Sequence, residues 1–417
     1  MHPARTRSAK LLTMNPAFSR RSFFCGAVLI AAFGMTACWS QVQSPSSENR
    51  SKSFGPDACG PADPTYIRTA NETGGIPMFL QRSEVGKSFQ LVRESTRENM
   101  STVLWATGPF DGKAQIFKVP VDSVTQRITF TFSVNTKGGK VQLTQPSGQV
   151  ITQGSPRTEN TDLNCGRIVT VTSPEAGIWH AEVSGAGTFW LEAQAQSDIY
   201  LLKAEFVKEG GRPGHEGLFR IHGQPLIGAP ATLQATIAAD KTLTNDFSLV
   251  SQRGDVIQKI HMNRVNSDRE FLELVGNLNL PNVPFRVAVT GRDTHGKQYQ
   301  RFNAALFHAE SVEVLSRLDS DELQPGQKKQ AVFAVRNLGS PRTFKVTVVD
   351  TRNFMTSSEP KELSLSQGQS GMIRVDLAVP PGTPLGTGDD IVVVAASTTG
   401  PSTSNSSVVH LNVTAAH

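Results

Sequence analysis

Apolar and polar residues alternate along most of the sequence after about residue 108. The stretch "RITFTFSV" places Ile128, Phe130, Phe132 and Val134 on one side of an extended chain. Turns that contain proline and glycine, such as "PSG" (146–148), separate runs of this kind. A period of two predicts strands with one buried face, so the pattern predicts a mostly β protein.

The strands group into three blocks of about 100 residues, the usual size of an immunoglobulin-like sandwich. Examples are "IWHAEVS" in the first block, "PFRVAVTGRD" in the second and "TFKVTVVD" in the third. We therefore predict tandem immunoglobulin-like β-sandwich domains at 108–206, 207–309 and 310–417.

Residues 57–107 carry helical signals instead of alternation. Asp63 is a good N-cap and Pro64 is a good first helical residue, while Gly74–Gly75 should end the helix. A short strand at 76–80 is expected to follow.

A second helix is predicted to begin at Ser83. Its residues Val85, Phe89 and Val92 recur at helical spacing and lie on one face. The predicted fold class is thus mostly β, with a short α-helical segment before the tandem sandwiches.

The start of the chain has the pattern of an export signal. An uncharged run of 15 residues is shorter than the ~20 that a membrane helix needs. "SRRSFF" resembles the twin-arginine signal, with Arg20 and Arg21 as its pair, and "MTAC" resembles a bacterial lipoprotein cleavage box that ends at Cys38. We predict a signal peptide at 1–37 and lipidation of Cys38. The alternative to a signal peptide is an uncleaved anchor helix. The alternative to Met1 as the start of the chain is Met14.

The predicted partner of Cys38 is a membrane. Each acyl methylene buried in a bilayer contributes roughly 0.8 kcal/mol, so several chains can hold a folded body at the surface. Residues 38–56 are polar and rich in serine, which is typical of a flexible tether. The expected location is the bacterial cell envelope, with the chain exported and lipid-anchored at the outer membrane or cell surface.

The charge balance changes when the leader is removed. The whole chain has 41 Lys and Arg against 36 Asp and Glu, and its pI is about 9.0. Five of the basic residues and none of the acids lie in the first 37 residues. A chain that begins at Cys38 therefore has a formal net charge of zero. The charge argument for a nucleic-acid partner disappears, and we predict none.

The chain has four cysteines, of which Cys25 and Cys38 belong to the leader. Cys59 and Cys165 remain for the folded body. In an exported chain these two could form one disulfide, and two separate thiols are the alternative.

No motif in the sequence predicts catalysis, a metal or a cofactor. His-Glu-x-x-His, Cys-x-x-Cys and the Gly-x-Ser-x-Gly nucleophile turn are all absent. His215, Glu216 and His222 form a weak metal candidate, for which a solvated loop is the favoured interpretation. We therefore expect a protein that is not an enzyme.

Two acidic stretches offer a weak alternative calcium site. "LDSDEL" contains Asp319, Asp321 and Glu322, and "TGDDI" contains Asp389 and Asp390. Neither stretch has the glycine and spacing of a calcium loop. Solvated turn acids are the favoured interpretation, and an ion at the boundary between the second and third domains is the alternative.

The tryptophans could form a surface on which a sugar ring stacks. Trp179 shares a strand face with Ala181 and Val183, which indicates a core position. Trp190 falls on the face opposite Phe189, so it is the better candidate for an exposed aromatic residue. Trp105 is the third member of this set.

Several stretches resemble known families. "DACGPADPTYIRTANETGGIPMFLQRSEV" (57–85) resembles the last part of a von Willebrand factor A domain. "VPVD" (119–122), "PSG", "PEAGIW" (174–179) and "SDI" (197–199) resemble the region that follows that domain in hemicentins. The resemblance covers about 57–305. The third block, with "VRNLG" and "VPPGT", resembles immunoglobulin-like accessory domains of bacterial exported proteins.

The resemblance implies an extracellular, multi-domain protein with an adhesive or matrix-like role. It does not imply metal-dependent adhesion, because the Asp-x-Ser-x-Ser stretch with which an A domain binds its ion is absent. The helical segment is then a remnant of an A domain.

The predicted function is an exported, membrane-anchored lipoprotein that acts without catalysis in envelope or surface interaction and adhesion. Its partner is an unknown protein or glycan. The alternatives are a carbohydrate-binding module that uses exposed aromatics such as Trp190, or a truncated von Willebrand A family protein with little independent function.

Overall fold

The structure is a computed structural model. It describes residues 59–60, 62–211, 216–238, 245–266, 271–317 and 321–415. The predicted leader 1–37 with Arg20 and Arg21, the predicted lipid site Cys38 and the tether 38–56 lie outside the described residues.

The first helix begins and ends where the sequence predicts. Helix α1 (Pro64–Thr73) has Asp63 as its N-cap, and the Asp63 side chain accepts a hydrogen bond of 2.8 Å from the Thr65 amide. Gly74 ends the helix in the left-handed conformation, with φ of 81°. A Cβ at Gly74 would lie 2.2 Å from the Cβ of Ala304, so this position also requires a glycine because of close packing.

The segment after α1 differs from the prediction. The predicted strand at 76–80 is wrong, since these residues have no regular structure and pair with no strand. Ile76 and Phe79 instead pack beside Trp190. A 3-10 helix (Arg82–Ser88) then continues into α2 (Phe89–Ser95), so the second predicted helix is present with a tighter first part.

The first sandwich has eight strands around one apolar core. One layer has the order β1-β8-β3-β6-β5 and the other β2-β7-β4. The strands are β1 (Met100–Pro109), β2 (Gln115–Val121), β3 (Thr125–Val134), β4 (Lys140–Thr144), β5 (Thr158–Leu163), β6 (Gly166–Thr172), β7 (Gly177–Ser184) and β8 (Thr188–Ser197). Strand β1 begins at Met100, so the predicted boundary at 108 falls inside it.

The second sandwich has a five-stranded layer in the order β10-β9-β11-β15-β14 and a four-stranded layer in the order β13-β12-β16-β17. Its strands are β9 (Tyr200–Gly210), β10 (Gly217–Arg220), β11 (Ala231–Ala238), β12 (Asn245–Val250), β13 (Val256–Ile260), β14 (Asn263–Asn266), β15 (Phe271–Leu278), β16 (Arg286–Arg292) and β17 (Gln298–Phe302). Phenylalanines from both layers, including Phe206, Phe247 and Phe285, fill its core.

The first two sandwiches share one sheet. Strand β17 pairs antiparallel with β1, with Thr102 opposite Phe302. The result is a nine-stranded sheet in the order β13-β12-β16-β17-β1-β8-β3-β6-β5. Two blocks that the sequence pattern separates near residue 206 are thus joined by backbone hydrogen bonds.

The third sandwich packs a four-stranded sheet (β18-β20-β24-β22) on a five-stranded sheet (β19-β26-β25-β21-β23). Its strands are β18 (Val312–Arg317), β19 (Glu322–Leu323), β20 (Lys328–Asn337), β21 (Arg342–Asp350), β22 (Met355–Glu359), β23 (Glu362–Leu365), β24 (Ser370–Ala378), β25 (Gly388–Ser397) and β26 (Ser404–Val413). The predicted mostly β, sandwich-type fold is confirmed. Across the described ranges, no helix has the length and apolar character needed to cross a membrane.

Candidate functional site

The first part of the helical segment, from Cys59 to the end of α1, is bonded to the sandwiches at both of its ends. Near its start, Cys59 and Cys165, which lies in the turn between β5 and β6, form a disulfide with sulfurs 1.99 Å apart. Near the end of α1, the Asn71 side chain accepts a 2.9 Å hydrogen bond from Trp190 Nε1 on β8. A carbonyl in the last turn of α1 accepts a 3.0 Å bond from the Leu306 amide, beyond β17. The segment therefore clamps the first two sandwiches together, and we call their contact the first junction.

Arg286 of β16 is fully buried at the first junction. Its guanidinium carbon lies 3.7 Å from the centre of the Trp105 ring, and its Nη2 donates a 2.9 Å hydrogen bond to the Asn71 carbonyl. Burial lowers the pKa of Arg286 to about 9, although the charge of Glu192 raises it. The side chain remains positive at neutral pH, and its attraction to the ring face is strengthened where water is excluded.

Glu192 of β8 is a buried carboxyl at the same junction. Its Oε1 accepts hydrogen bonds of 3.0 Å from Gln194 Nε2 and 3.3 Å from Thr102 Oγ1. Burial raises the pKa of Glu192 to about 7, because these bonds and the charge of Arg286 offset only part of the desolvation. The carboxyl therefore gains and loses its proton near neutral pH.

A buried ion pair also joins the first two sandwiches. Asp122, the last residue of "VPVD", and Arg301 of β17 have no exposed side-chain surface and contact each other through Oδ2 and Nη2. Ser197 donates a 3.0 Å hydrogen bond to Asp122 Oδ1, and Arg301 Nε donates a 2.7 Å bond to the Ile199 carbonyl. The "VPVD" and "SDI" motifs that carry the sequence resemblance thus hold the first junction.

Ser123, Asp293 and His295 make a further contact across the first junction. Ser123 Oγ lies 2.6 Å from Asp293 Oδ2 and 2.9 Å from His295 Nδ1, and the Ser123 amide donates a 2.7 Å bond to the same carboxylate. In a nucleophilic triad the histidine lies between the serine and the carboxylate. Here the serine lies between the other two side chains, so the arrangement suits a structural contact between the two sandwiches and not an activated nucleophile.

The helical segment at 82–95 contacts the first sandwich through polar side chains. Gln90 Nε2 donates a 3.0 Å hydrogen bond to Thr170 Oγ1 of β6, and Thr161 Oγ1 of β5 donates a 2.5 Å bond to Gln90 Oε1. Glu94 is fully buried and lies 2.7 Å from Arg97 Nε. Burial raises the pKa of Glu94, but hydrogen bonds from Arg97 and Arg93 outweigh it and the net shift is downward.

The predicted apolar face of this helix is turned away from the core. Phe89 is 63% exposed, and Val85 and Val92 are only half-buried. An open groove of about 530 Å³ lies between α2 and β5, and we call it the α2 groove. It is lined by Gly86, Lys87, Phe89, Gln90, Val92, Arg93, Glu159 and Thr161. An exposed aromatic ring beside a basic rim is typical of a contact surface.

The second and third sandwiches meet at a smaller, polar contact, the second junction. Asn405 of β26 accepts a 2.8 Å hydrogen bond from the Gln224 amide and returns a 3.0 Å bond to the Gln224 carbonyl. Glu310 accepts a 2.5 Å bond from Thr403 Oγ1, and Leu226 forms an isolated parallel bridge with Glu310. Within the described residues, no strand belongs to both of these sandwiches.

The three tryptophans within the described residues do not form an exposed platform. Trp179 lies in the core of the first sandwich, as predicted. The prediction of an exposed Trp190 is wrong, since this side chain is 3% exposed. Trp190 does point away from the sandwich core, but the helical segment covers that face, and Phe79 packs 5.5 Å from its ring centre. Trp105 is covered by the same segment and is 1% exposed.

The structure describes only part of the weak metal candidates. His215 and Asp319 lie outside the described residues. The described ranges contain no group of three or more His, Cys, Asp and Glu side chains that could hold a metal ion. Asp389 is buried and not a solvated turn acid, and it accepts a 3.0 Å hydrogen bond from Thr351 Oγ1. Burial and the neighbouring Asp350 raise the pKa of Asp389 to about 6.

Comparisons with known proteins support the hemicentin part of the sequence resemblance. The family model described as hemicentin galactose-binding domain-like matches residues 102–198, and a VWA7 Ig-like domain model matches 312–415. Hemicentin-1 of Mus musculus is 22% identical over 271 residues, and that of Homo sapiens is 21% identical. The match covers 63% of this chain and 5% of each hemicentin. The predicted hemicentin-type region is confirmed, and the chain spans a small part of its relatives.

Solved structures of several multi-domain proteins also align with this chain. The titin domains Z1Z2 in complex with telethonin align at 13% identity with a TM-score of 0.17. The alignment covers 52% of this chain and 100% of the Z1Z2 chain. Native Escherichia coli alpha-2-macroglobulin aligns at 9% identity with a TM-score of 0.25, over 75% of this chain and 32% of the other.

Proposed function

We propose that this chain is an exported, non-catalytic lipoprotein of the cell envelope that makes adhesive contacts outside the cell. The predicted leader and Cys38 supply the export signal and the anchor. The similarity to hemicentins, which are extracellular, supports an exported location and an adhesion-type role.

The nine-stranded sheet is the observation that carries the mechanical part of the proposal. It fixes the first two sandwiches relative to each other, and the buried Asp122–Arg301 pair and the clamp of α1 reinforce it. A stiff unit of this kind can hold a contact surface away from a membrane. The helical segment is bonded to both sandwiches, which favours an integral role over that of a leftover remnant.

The α2 groove is the contact surface that we propose, with an extracellular protein as its partner. It presents Phe89 at 63% exposure beside Lys87, which suits an aromatic anchor with a polar rim. All three described tryptophans are buried, so the carbohydrate alternative loses its predicted stacking residue. The galactose-binding-like match keeps a glycan partner as a second candidate.

Metabolic labelling with a palmitate analogue tests the anchor. The wild-type chain should incorporate the label and fractionate with membranes, and Cys38→Ala should do neither. A Cys25→Ala variant is the matched control, because that cysteine lies inside the predicted signal peptide and should be removed with it. An unlabelled wild-type chain would refute the lipoprotein part of the proposal.

Attachment of cells that display the chain tests the contact surface. Phe89→Ser should lower attachment, since the exposed ring is the main apolar feature of the α2 groove. Leu385→Ser is the control, because Leu385 is 61% exposed on the third sandwich. Equal attachment by both variants would contradict the α2 groove as the contact surface. Equal attachment by cells that lack the chain would contradict the adhesive role. A glycan array with the wild-type chain distinguishes a sugar partner from a protein partner.

A further inference from the structure

Two histidines from different sandwiches face each other at the second junction. His222 follows β10 in the second sandwich, and His410 lies on β26 in the third. Their ring centres are 5.9 Å apart, and the ring planes are inclined by 60°. Both side chains are exposed, with that of His410 at 64%. The sequence separates them by most of the second sandwich and almost the whole third sandwich, so no motif predicts the pair.

The backbone holds His222 in place beside β26. The next residue, Gly223, has φ of 85°, and a Cβ there would lie 2.2 Å from Asn405 Oδ1. Gln224 exchanges two hydrogen bonds with the same Asn405, five residues before His410 on the same strand. The first imidazole is thus carried by a loop that is fixed against the strand that carries the second.

Asp390 orients the second imidazole. It lies directly opposite His410 in the pairing of β25 with β26, and its Oδ1 is 2.5 Å from His410 Nδ1. This bond commits Nδ1 and leaves Nε2 as the nitrogen that can bind a ligand. In a metal-binding histidine, the ring nitrogen that does not bind the metal usually donates its hydrogen to a carboxylate or another acceptor. This hydrogen bond sets the tautomer and makes the other nitrogen a stronger ligand.

We propose that His222 and His410 form a binding site for a divalent transition-metal ion such as Zn²⁺, oriented by Asp390 and completed by water. Imidazole nitrogens bind Zn²⁺ at about 2.0–2.1 Å, so two rings that share one ion have centres roughly 5–6 Å apart. The observed 5.9 Å lies at the upper end of this range, and rotation of the two exposed side chains can turn a ring nitrogen of each toward a shared ion. Imidazole ligands suit zinc, copper and nickel, whereas calcium and magnesium require oxygen.

An ion at this site would tie the second sandwich to the third. Each sandwich supplies one ligand, so binding requires the two to keep the orientation seen in the structure. The site has two protein ligands and is open to solvent, unlike a closed structural zinc centre. Lys208 and Arg220 place positive charge near His222, which opposes a cation and weakens its binding. The inference goes beyond the proposed adhesive role and does not depend on it.

Calorimetric titration of the full chain with ZnCl₂, after treatment with EDTA and without a histidine tag, tests the site. The wild type should bind one more ion than His222→Ala or His410→Ala, or bind it at least tenfold more tightly. Asp390→Asn should weaken binding about 10- to 100-fold, since it removes the outer carboxylate. His261→Ala is the control, because this exposed histidine lies between β13 and β14 and should leave binding unchanged.

A second measurement keeps the test independent of folding. Zn²⁺ should narrow the distance distribution from small-angle X-ray scattering of the wild type but not of His410→Ala. The substituted side chains are exposed, so circular dichroism should show the same fold for every variant. Equal zinc affinity in the wild type and both histidine variants would overturn the proposal. A wild type with no measurable zinc binding would overturn it too.

Discussion

The two junctions between sandwiches are built in different ways. At the first junction, β17 and β1 continue one sheet, and a fully buried ion pair and a helix cross the boundary. At the second junction, one isolated bridge and a few hydrogen bonds from polar side chains join the parts. The first junction is therefore built like the interior of a domain, and the second like a contact between two domains.

The difference shows where stiffness comes from in a chain of sandwiches. Backbone pairing fixes the register of β1 and β17, and a buried charge tolerates little displacement from its partner. The hydrogen bonds of the second junction are made by single polar side chains, and each contributes only about 0.5–1.5 kcal/mol to stability. We therefore expect the first two sandwiches to unfold as one unit and the third to unfold separately.

Of the changes proposed below, loss of the disulfide should lower the stability of the first two sandwiches most. Cys59 and Cys165 are 106 positions apart, and a crosslink that closes a loop of this size stabilises a fold by about 4–5 kcal/mol in the chain-entropy account. The double variant Cys59→Ser/Cys165→Ser should lower the unfolding free energy of the first two sandwiches by about that amount.

Urea unfolding followed by tryptophan fluorescence measures this change, because Trp105, Trp179 and Trp190 all lie in the first sandwich. The third sandwich contains no tryptophan, so its unfolding is followed by circular dichroism. It serves as the internal control and should unfold at its wild-type urea concentration. If the transition of the first two sandwiches and that of the third shift together, the three sandwiches unfold as one unit and the two junctions do not differ in stiffness.

Removal of one partner of the buried ion pair should have the next largest effect. Asp122→Ala leaves Arg301 charged and fully buried, which costs about 3–5 kcal/mol. Asp162→Ala is the matched control, because Asp162 pairs with Arg167 while 59% exposed, and such pairs contribute about 0–1 kcal/mol. Replacing both partners, as in Asp122→Leu/Arg301→Met, should recover most of the loss. Equal losses in Asp122→Ala and its control would show that the pair does not hold the junction.

A pH dependence should follow from Glu192. Its pKa is about 7 in the folded chain against 4.5 when unfolded, so the folded state binds the proton more tightly. The stability that this group contributes is fully present below about pH 4.5 and is lost as the pH rises through 7. The first two sandwiches should therefore lose roughly 2–3 kcal/mol between pH 5 and pH 8.

Urea unfolding at several pH values measures this slope. Glu192→Gln should flatten it, because the amide keeps a hydrogen-bonding group and cannot titrate. Asp389→Asn is the control, since the raised pKa of Asp389 belongs to the third sandwich and should alter only the transition of that unit. A slope that persists in Glu192→Gln would assign the pH dependence to another group.

Features that depend on neighbouring residues could be predicted from the sequence. Asp63, Pro64 and Gly74 set both ends of α1, because capping and the left-handed turn involve only adjacent backbone. The alternation of Ile128 with its neighbours likewise predicts a strand, because a strand's two faces follow from its own residues.

Features that depend on distant segments could not be predicted in this way. Alternation places Trp190 on the outward face of β8, but its burial depends on a segment more than a hundred residues earlier. Phe89 sits at helical spacing, yet the helix turns its polar side inward because Gln90 finds partners on β5 and β6. Asp293 and His295 belong to a turn whose partner, Ser123, is 170 residues away.

The smallest change in stability and the clearest change in shape should come from Asn405→Ala. Asn405 accepts one hydrogen bond from Gln224 and donates one each to Gln224 and to the Val312 carbonyl, so the variant loses the polar link of the second junction. Asn405 is only 6% exposed and its bond to the Val312 carbonyl is buried, so we expect a loss of about 1–2 kcal/mol in the third sandwich. Small-angle X-ray scattering should nevertheless show a broader distribution of interatomic distances. Asn412→Ala, on the exposed face of the same strand, should leave that distribution unchanged. An unchanged distribution in Asn405→Ala would mean that the second junction is as stiff as the first.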